Sequence, residues 1–328
     1  MPDTTTTPTT MKVKLKVKRF DPAESGGKTW WQEYEVDVHP DSTVLDSLIE
    51  VREQEDGTLA MRCACRASIC GSCGMKVNGS AKLVCKTRVI DVAPNGEQLT
   101  IEPMGNQHVV RDLVVSLDTF FNQINRVEPF LQPSFVPEQG EYTASNSSME
   151  NLLTSMNCIM CGCCVSDCTV LEVDSNFIGP AALAKAWRFT EDPRDGKRDE
   201  RLKALNDEDG GMWDCTRCMK CVDVCPKGVA PMDRIMELRE AAIAAGNTNT
   251  SGYRHTESFY NSVKKNGRLD ETRLALDSAG WTNIPRLLDL APIGIAAMRK
   301  GKLPPLIPHK SEDNQKVKDL YKSVEDDS

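Results

Sequence analysis

The sequence "CTRCMKCVDVCPKG" at residues 215–228 contains four cysteines separated by two, two and three residues, with Pro226 directly after the last of them. The same frame occurs earlier, in "CIMCGCCVSDCTV" at residues 158–170. Clustered cysteines of this kind are typical of metal centres, whereas disulfide frameworks usually spread their cysteines along the chain. The repeat therefore predicts two related metal centres.

Two such runs in one chain are the pattern of bacterial ferredoxins that bind two 4Fe-4S clusters. Three closely spaced thiolates bind three irons of one cubane, and the fourth cysteine of each run completes the other cluster. One predicted ligand set is Cys158, Cys161, Cys164 and Cys225. The other is Cys168, Cys215, Cys218 and Cys221. Two zinc ribbons are the alternative interpretation of these eight cysteines.

A third cysteine group lies at residues 65–85, in "CRASICGSCGMKVNGSAKLVC". Gaps of four and two residues, followed by a distant fourth cysteine, are the plant-type pattern for a 2Fe-2S cluster. The predicted ligands are Cys65, Cys70, Cys73 and Cys85. Gly71 and Gly74 let the loop backbone approach the cluster closely. A zinc site fits less well, because zinc thiolates usually form two close pairs.

Two of the 14 cysteines belong to none of these sets. Cys63 lies two residues before Cys65 and is predicted to be a free or buried thiol. Cys163 is adjacent to Cys164 and cannot occupy the same three-iron face, so we predict a packed thiol. The sequence shows no catalytic constellation, and no glycine-rich dinucleotide fingerprint follows a strand. Any FAD is therefore expected on another subunit only.

The apolar pattern predicts an α+β chain. The stretches "MKVKLKVKRF" at 11–20 and "YEVDVHP" at 34–40 alternate as half-buried strands do, and residues 41–54 have helical spacing. From "VVRDLVVSLDTFFNQI" at 109–124 onward the pattern is helical. The predicted parts are a disordered tail at 1–10, a plant-type ferredoxin domain of β-grasp type at 11–108, an all-helical bacterial-type two-cluster ferredoxin domain at 109–250 and a helical C-terminal extension at 251–328.

Charge and hydropathy narrow the class of protein. A net charge of −8 and a pI near 5.2 argue against a nucleic-acid-binding protein. The start "MPDTTTTPTT" lacks the features of a signal peptide, so no export signal is expected. The most apolar late stretch, residues 287–298, is well short of the roughly 20 residues needed to cross a bilayer. Residues 287–302, "LLDLAPIGIAAMRKGK", fit a membrane surface or, preferably, a groove on a partner.

Beyond its cysteines, the chain resembles the iron-sulfur subunit of succinate dehydrogenase and fumarate reductase over residues 11 to about 245. The stretches that carry the resemblance are "CRASICGSCGMKVNG", "EPMGNQHVVRDLVVSLDTFF", "FIGPAALAKAWRFTEDPRD" and "CPKGV". The resemblance implies an electron-transfer subunit that is not catalytic alone. By this resemblance, the subunit is expected to relay single electrons between the FAD of a catalytic subunit and a quinone-reactive membrane subunit. The 2Fe-2S cluster is expected to face the flavin, the cluster of Cys158 to follow, and the cluster of Cys215 to be the exit.

The chain departs from the best-known members of that family in two places. They carry a non-cysteine residue at the position of Cys218 and bind a 3Fe-4S cluster, whereas this chain has a full ligand set. We therefore predict 4Fe-4S at the exit, with 3Fe-4S without Cys218 as the alternative. The proline, tryptophans and histidine that help to form their quinone pocket are replaced here by "CTVLEVD" at 168–174 and "CTRC" at 215–218. The resemblance therefore does not carry over the familiar quinone site.

The C-terminal region resembles that of a heterodisulfide reductase component whose partner is a cysteine-rich protein, in "FYNSVKKNGRLDETRLAL" at 259–276 and again at 299–324. This resemblance implies a cysteine-rich third subunit in place of haem-bearing membrane anchors. The alternative is an ordinary helical extension.

The alternative function for the whole chain is electron transfer for another flavoprotein, of heterodisulfide reductase or glycolate oxidase type. We expect a peripheral location on the cytoplasmic side of a membrane, reached through partners, or export together with a signal-bearing partner.

Overall fold

A computed structural model describes residues 10–23, 26–206, 209–305 and 308–326. The predicted disordered tail lies, apart from residue 10, outside the described residues. The chain forms two compact units. The first comprises Met1–Leu205 and Cys215–Glu240, and the second comprises Asn206–Asp214 and Ala241–Ser328.

The first unit begins with a five-stranded sheet in the order β2-β1-β5-β3-β4. Its strands are β1 (Met11–Phe20), β2 (Thr29–Val38), β3 (Gly74–Val77), β4 (Ser80–Leu83) and β5 (Leu99–Glu102). Strands β1 and β5 are parallel, and the other neighbouring pairs are antiparallel. The alternation in β1 buries Val13, Leu15 and Val17 completely, because every second side chain points to the same face. The predicted strand at 11–20 is confirmed.

A helix covers one face of this sheet domain. Helix α1 (Val44–Glu50) begins after Thr43, whose side chain forms a capping box with Asp46, and a π-helical turn at Val51–Glu55 follows it. Its apolar residues Leu45 and Leu48 are buried in the same core as strand β1. A short helix, α2 (Val89–Val92), follows β4. The helix predicted at 41–54 is thus confirmed, with its start fixed by the cap.

The predicted helix at 109–124 is wrong in its first half. Strands β6 (Val109–Arg111) and β7 (Val114–Val115) form a hairpin there, and helix α3 begins only at Asp118, as Asp118–Asn125. Asp112 turns the hairpin at φ +45°. Its buried carboxylate accepts hydrogen bonds from Arg19 Nε at 2.9 Å and from the backbone N–H of Ala60 at 2.9 Å. These distant partners favour the hairpin over the helix.

The rest of the first unit is helical. Its helices are α4 (Asn146–Glu150), α5 (Leu153–Met156), α6 (Cys163–Ser166), α7 (Thr169–Val173), α8 (Pro180–Thr190), α9 (Arg198–Leu205), α10 (Lys220–Asp223) and α11 (Pro231–Ala244), the last of which continues into the second unit. Helix α8 begins with Pro180 at its first turn and is buried along most of its length. Two of its alanines, Ala181 and Ala184, line the same cavity as Cys158 and Cys161.

The second unit contains a 3-10 turn at Met212–Asp214 and the four helices α12 (Ser251–Asn266), α13 (Glu271–Ala279), α14 (Ile284–Arg299) and α15 (Asn314–Asp326). Helix α12 packs on α13 through a hydrogen bond from Ser258 to Asp277 at 2.7 Å. It packs on α15 through Tyr260 and Tyr321, whose ring centroids lie 5.0 Å apart. Among the described residues, no helix combines the length and apolar character that a membrane span requires.

Candidate functional site

The cysteine group at residues 65–85 has Cys65, Cys70 and Cys73 on the loop that leads into β3, and Cys85 shortly after β4. Three backbone N–H groups of this loop donate to Cys65 Sγ at 3.3 Å, and that of Ser68 donates to Cys85 Sγ at 3.3 Å. The loop curls inward because Arg66 and Ser68 adopt positive φ angles of 54° and 56°. Backbone donors aimed at sulfur stabilise thiolate ligands, so this loop fits a 2Fe-2S cluster.

The four thiols of this group differ in exposure. Cys65 and Cys70 are exposed, whereas Cys73 and Cys85 are buried. The hydroxyl of Ser72, 3.2 Å from Cys70 Sγ, is the main cause that lowers the pKa of Cys70 to about 6. Burial raises the pKa of Cys73 to about 12. A cluster held here is therefore accessible from the Cys65 and Cys70 side and shielded on the other.

The first run of cysteines meets the last cysteine of the second run. Cys158, Cys161 and Cys164 line one cavity together with Cys225. The remaining wall is mostly apolar and includes Phe120, Ala181, Ala184 and Val229. The backbone N–H of Val229 donates to Cys225 Sγ at 3.3 Å. Four thiols around an apolar cavity fit a cubane cluster with its sulfurs shielded from water.

The second run meets the last cysteine of the first run in the same way. A second cavity is lined by Cys168, Cys215, Cys218 and Cys221 with mostly apolar neighbours. The two runs also share their backbone shape. Residues two and four places after the first cysteine have positive φ in both, at Met160 and Gly162 and again at Arg217 and Met219. The internal repeat in the sequence is therefore also a repeat of local structure.

Cys218 is exposed, and its sulfur accepts a hydrogen bond from Thr169 Oγ1 at 3.5 Å. Burial acts to raise the pKa of Cys218, but the hydrogen bonds from Thr169 and from nearby backbone groups outweigh it and lower that pKa. Thr169 was not among the predicted site residues. The only signal in the sequence is that it directly follows Cys168.

The two extra cysteines line neither of these cavities among the described residues. Cys163 is fully buried in the core of the sheet domain, and Cys63 packs against the same core. A hydrogen bond to Cys161, together with burial, raises the pKa of Cys163. Cys163 is therefore a thiol that keeps its proton beside the sulfur of Cys161.

The 2Fe-2S loop lies directly against the first run. A Cβ atom placed on Gly71 would lie 2.8 Å from the Cβ of Cys161. Asn106, which was not among the predicted site residues, also joins the sheet domain to the first run. Its Nδ2 donates to the carbonyl oxygens of Val165 at 2.8 Å and Cys168 at 2.9 Å. The first two cysteine sites are thus neighbours, held together by backbone and side-chain contacts.

Comparison with family models agrees with this division of the chain. Residues 14–122 match a 2Fe-2S iron-sulfur cluster binding domain, and residues 154–229 match a 4Fe-4S dicluster domain. The predicted fold class and the predicted 2Fe-2S and 4Fe-4S clusters are confirmed, whereas the type of the third cluster stays a prediction. The fold and its three cysteine sites define an iron-sulfur protein of the electron-transferring class.

Relatives of known function give the family. The iron-sulfur subunit of 8-methylmenaquinol:fumarate reductase from Wolinella succinogenes is 30% identical over 304 residues, which cover 90% of this chain and 92% of that one. The fumarate reductase iron-sulfur subunit of Mycobacterium tuberculosis is 37% identical over 233 residues, which cover 70% of this chain and 93% of that one. The chain belongs to the family of iron-sulfur subunits of succinate dehydrogenase and fumarate reductase. Its role is electron transfer in an oxidoreductase complex, and the alternative flavoprotein types are not favoured.

A solved structure supports the fold. A chain of the Mycobacterium smegmatis Sdh1 complex in the apo form matches with a TM-score of 0.66 and 25% identity, covering 74% of this chain and 99% of that one. The match to the Wolinella relative is longer. It covers 90% of this chain, more than the first 250 residues can supply, so it includes part of the C-terminal extension.

Proposed function

We propose that the chain relays single electrons between the FAD of a flavoprotein subunit and a third, quinone-reactive or membrane-associated subunit. The observation that carries this proposal is the contact of Gly71 with Cys161, which sets the first two cysteine sites side by side. Each run of cysteines contributes its last member to the other run's cavity, Cys168 to the second cavity and Cys225 to the first. The two cavities are therefore neighbours. Iron-sulfur clusters supply one-electron chemistry when bound.

The proposed ligands are the predicted ones. Cys65, Cys70, Cys73 and Cys85 hold 2Fe-2S, Cys158, Cys161, Cys164 and Cys225 hold 4Fe-4S, and Cys168, Cys215, Cys218 and Cys221 hold the exit cluster. This chain positions the thiolates, donates hydrogen bonds to them and lines the two cavities mainly with apolar side chains. The presence of Cys218 on the wall of the second cavity supports four ligands and a 4Fe-4S exit cluster.

The exposed edges of the first and third sites support the proposed partner contacts. Cys65 and Cys70 are exposed, and the neighbouring Ile69 is an exposed apolar side chain, as expected where a flavoprotein subunit docks. Cys218 and Met219 form the exposed edge of the exit site. A third subunit of the less common, cysteine-rich type is proposed only from the resemblance of residues 259–276 and 299–324 to a heterodisulfide reductase component. The cytoplasmic side of the membrane stays a prediction.

The proposed function is tested by purifying the native complex through a tag on this chain, without oxygen. We expect a brown complex with iron and acid-labile sulfide, a flavoprotein subunit, and reduction of the clusters by succinate. A colourless protein with stoichiometric zinc would contradict the proposal. Clusters that another flavin substrate reduces, while succinate does not, would assign the chain to a different oxidoreductase.

The crossed ligand sets are tested by pairing substitutions across the runs. Cys225→Ser is expected to abolish the same cluster signal as Cys158→Ser, because both residues line the first cavity. Cys168→Ser is expected to abolish the same cluster signal as Cys221→Ser, because these two residues line the second cavity. EPR spectra recorded at graded reduction show which cluster signal each variant has lost. If Cys225→Ser behaves like Cys221→Ser, each run binds its own cluster and the assignment is wrong.

Thr169 is expected to raise the reduction potential of the exit cluster. Its hydroxyl donates to Cys218 Sγ, and a hydrogen bond to a cluster thiolate stabilises the more electron-rich reduced state. Thr169→Val is expected to lower the midpoint potential by about 20–60 mV, given that a hydrogen bond contributes about 0.5–1.5 kcal/mol. Thr169→Ser keeps the hydroxyl and serves as the control. EPR-monitored redox titration measures the midpoint potential of the exit cluster in each variant. Equal potentials in Thr169→Val and Thr169→Ser would contradict a role of the Thr169 hydroxyl in setting that potential.

A further inference from the structure

Helix α14 presents an apolar stripe that the described residues of its unit leave uncovered. Ile284, Leu288, Ala291, Ile295 and Met298 follow one another at spacings of four, three, four and three, which places them on one side of the helix. The four larger side chains in this stripe are between 50% and 67% exposed. The half-buried residues Leu287, Leu290, Gly294 and Ala297 lie on another side. The stripe is therefore a second apolar face, beyond the one that packs inward.

Basic residues follow this stripe. Arg299, Lys300 and Lys302 are all exposed, and among the described residues none of them forms an ion pair. The whole chain carries a net charge of −8, so the charge of this basic cluster is opposite in sign to that of the chain. At the other end of the helix, Trp281 is 65% exposed. An exposed aromatic residue, an apolar stripe and unpaired cations together are the composition of helices that lie in a bilayer interface.

We propose that α14 lies on the surface of an anionic bilayer and attaches this subunit directly to the membrane. The stripe enters the boundary between headgroups and acyl chains, and the basic cluster pairs with anionic headgroups. A groove on a protein would need an apolar floor and acidic side chains at its rim, whereas an anionic bilayer supplies both partners together. An acidic chain is repelled from an anionic bilayer elsewhere, so the basic end also determines which side of the molecule faces the membrane.

The test measures sedimentation of the full-length, cluster-loaded chain with vesicles. We expect binding to vesicles of equal parts phosphatidylglycerol and phosphatidylcholine, and much weaker binding to phosphatidylcholine alone. Leu288→Glu/Ile295→Glu is expected to lower binding to the anionic vesicles at least about tenfold. Lys300→Glu/Lys302→Glu is expected to remove the preference for anionic lipid and its dependence on salt.

The matched control is Leu320→Glu/Val324→Glu on α15. These two residues are also exposed apolar side chains of the second unit, and they lie on a different helix. The control is expected to bind vesicles as the wild type does, and circular dichroism shows whether each variant is folded. Absence of wild-type binding to anionic vesicles, or unchanged binding by both α14 variants, would overturn the proposal.

Two further outcomes would assign the stripe to a protein. If the α14 variants bind vesicles normally but purify without the third subunit, the stripe is a partner interface. If the wild type is a dimer and the Leu288→Glu/Ile295→Glu variant is a monomer with unchanged vesicle binding, a second copy covers the stripe. Cluster content and reduction by succinate are expected to stay unchanged in all these variants, because α14 carries none of the proposed ligands.

Discussion

Replacing Cys218 with serine is expected to convert the exit cluster from 4Fe-4S to 3Fe-4S. Three thiols, those of Cys168, Cys215 and Cys221, would remain on the wall of the cavity and suffice for three irons. Cys218 is the exposed member of the set, so an iron bound to it would be the one most open to exchange with solvent. The oxidised variant is expected to show the EPR signal of a three-iron cluster, which the oxidised wild type lacks.

The exit cluster of the Cys218→Ser variant is also expected to have a changed reduction potential, since cluster type and charge are main determinants of potential. Cys63→Ser is the matched control, because Cys63 packs against the core of the sheet domain and is outside all three proposed ligand sets. Its spectra are expected to equal those of the wild type. A three-iron signal already present in the freshly purified wild type would show that Cys218 is not a ligand.

The spacing of cysteines predicted which thiols of each run lie close together, because a tight loop brings cysteines a few residues apart to one side. The fourth cysteine of each proposed cubane set comes from the other run, and it lines the same cavity as the other three. Strand β1 was equally predictable, since its alternation has a period of two throughout. Such features depend on neighbours in the sequence and can be recognised from it.

Other features depend on residues far apart in the chain, and spacing carries no signal of them. The hairpin at β6 and β7 is stabilised through Asp112 and Arg19, which are 93 residues apart. The hydrogen bond from Thr169 to Cys218 joins residues 49 apart and needs the two runs to cross. Asn106 binds carbonyl groups about 60 residues away. Only the fold brings these residues together.

Gly71→Ala is expected to destabilise the first unit by about 2–5 kcal/mol, because two separate costs add. Gly71 has a φ angle of +74°, which an alanine adopts only with strain. A new methyl group would also lie 2.8 Å from the Cβ and 2.9 Å from the Cα of Cys161, so the loop and the first run must move apart. We expect lower iron content and a lower denaturation midpoint, measured without oxygen.

Gly79→Ala separates the two costs. Gly79 turns the hairpin between β3 and β4 at φ +79°, and a methyl group there would meet no atom of the described residues within 4 Å. This control carries the backbone strain alone, about 1–3 kcal/mol, and is expected to keep its full iron content. The additional loss in Gly71→Ala then measures the contact between the loop and Cys161. Equal midpoints and equal iron content in the two variants would show that the two sites are not held in contact, and the proposed order of electron transfer would lose its structural basis.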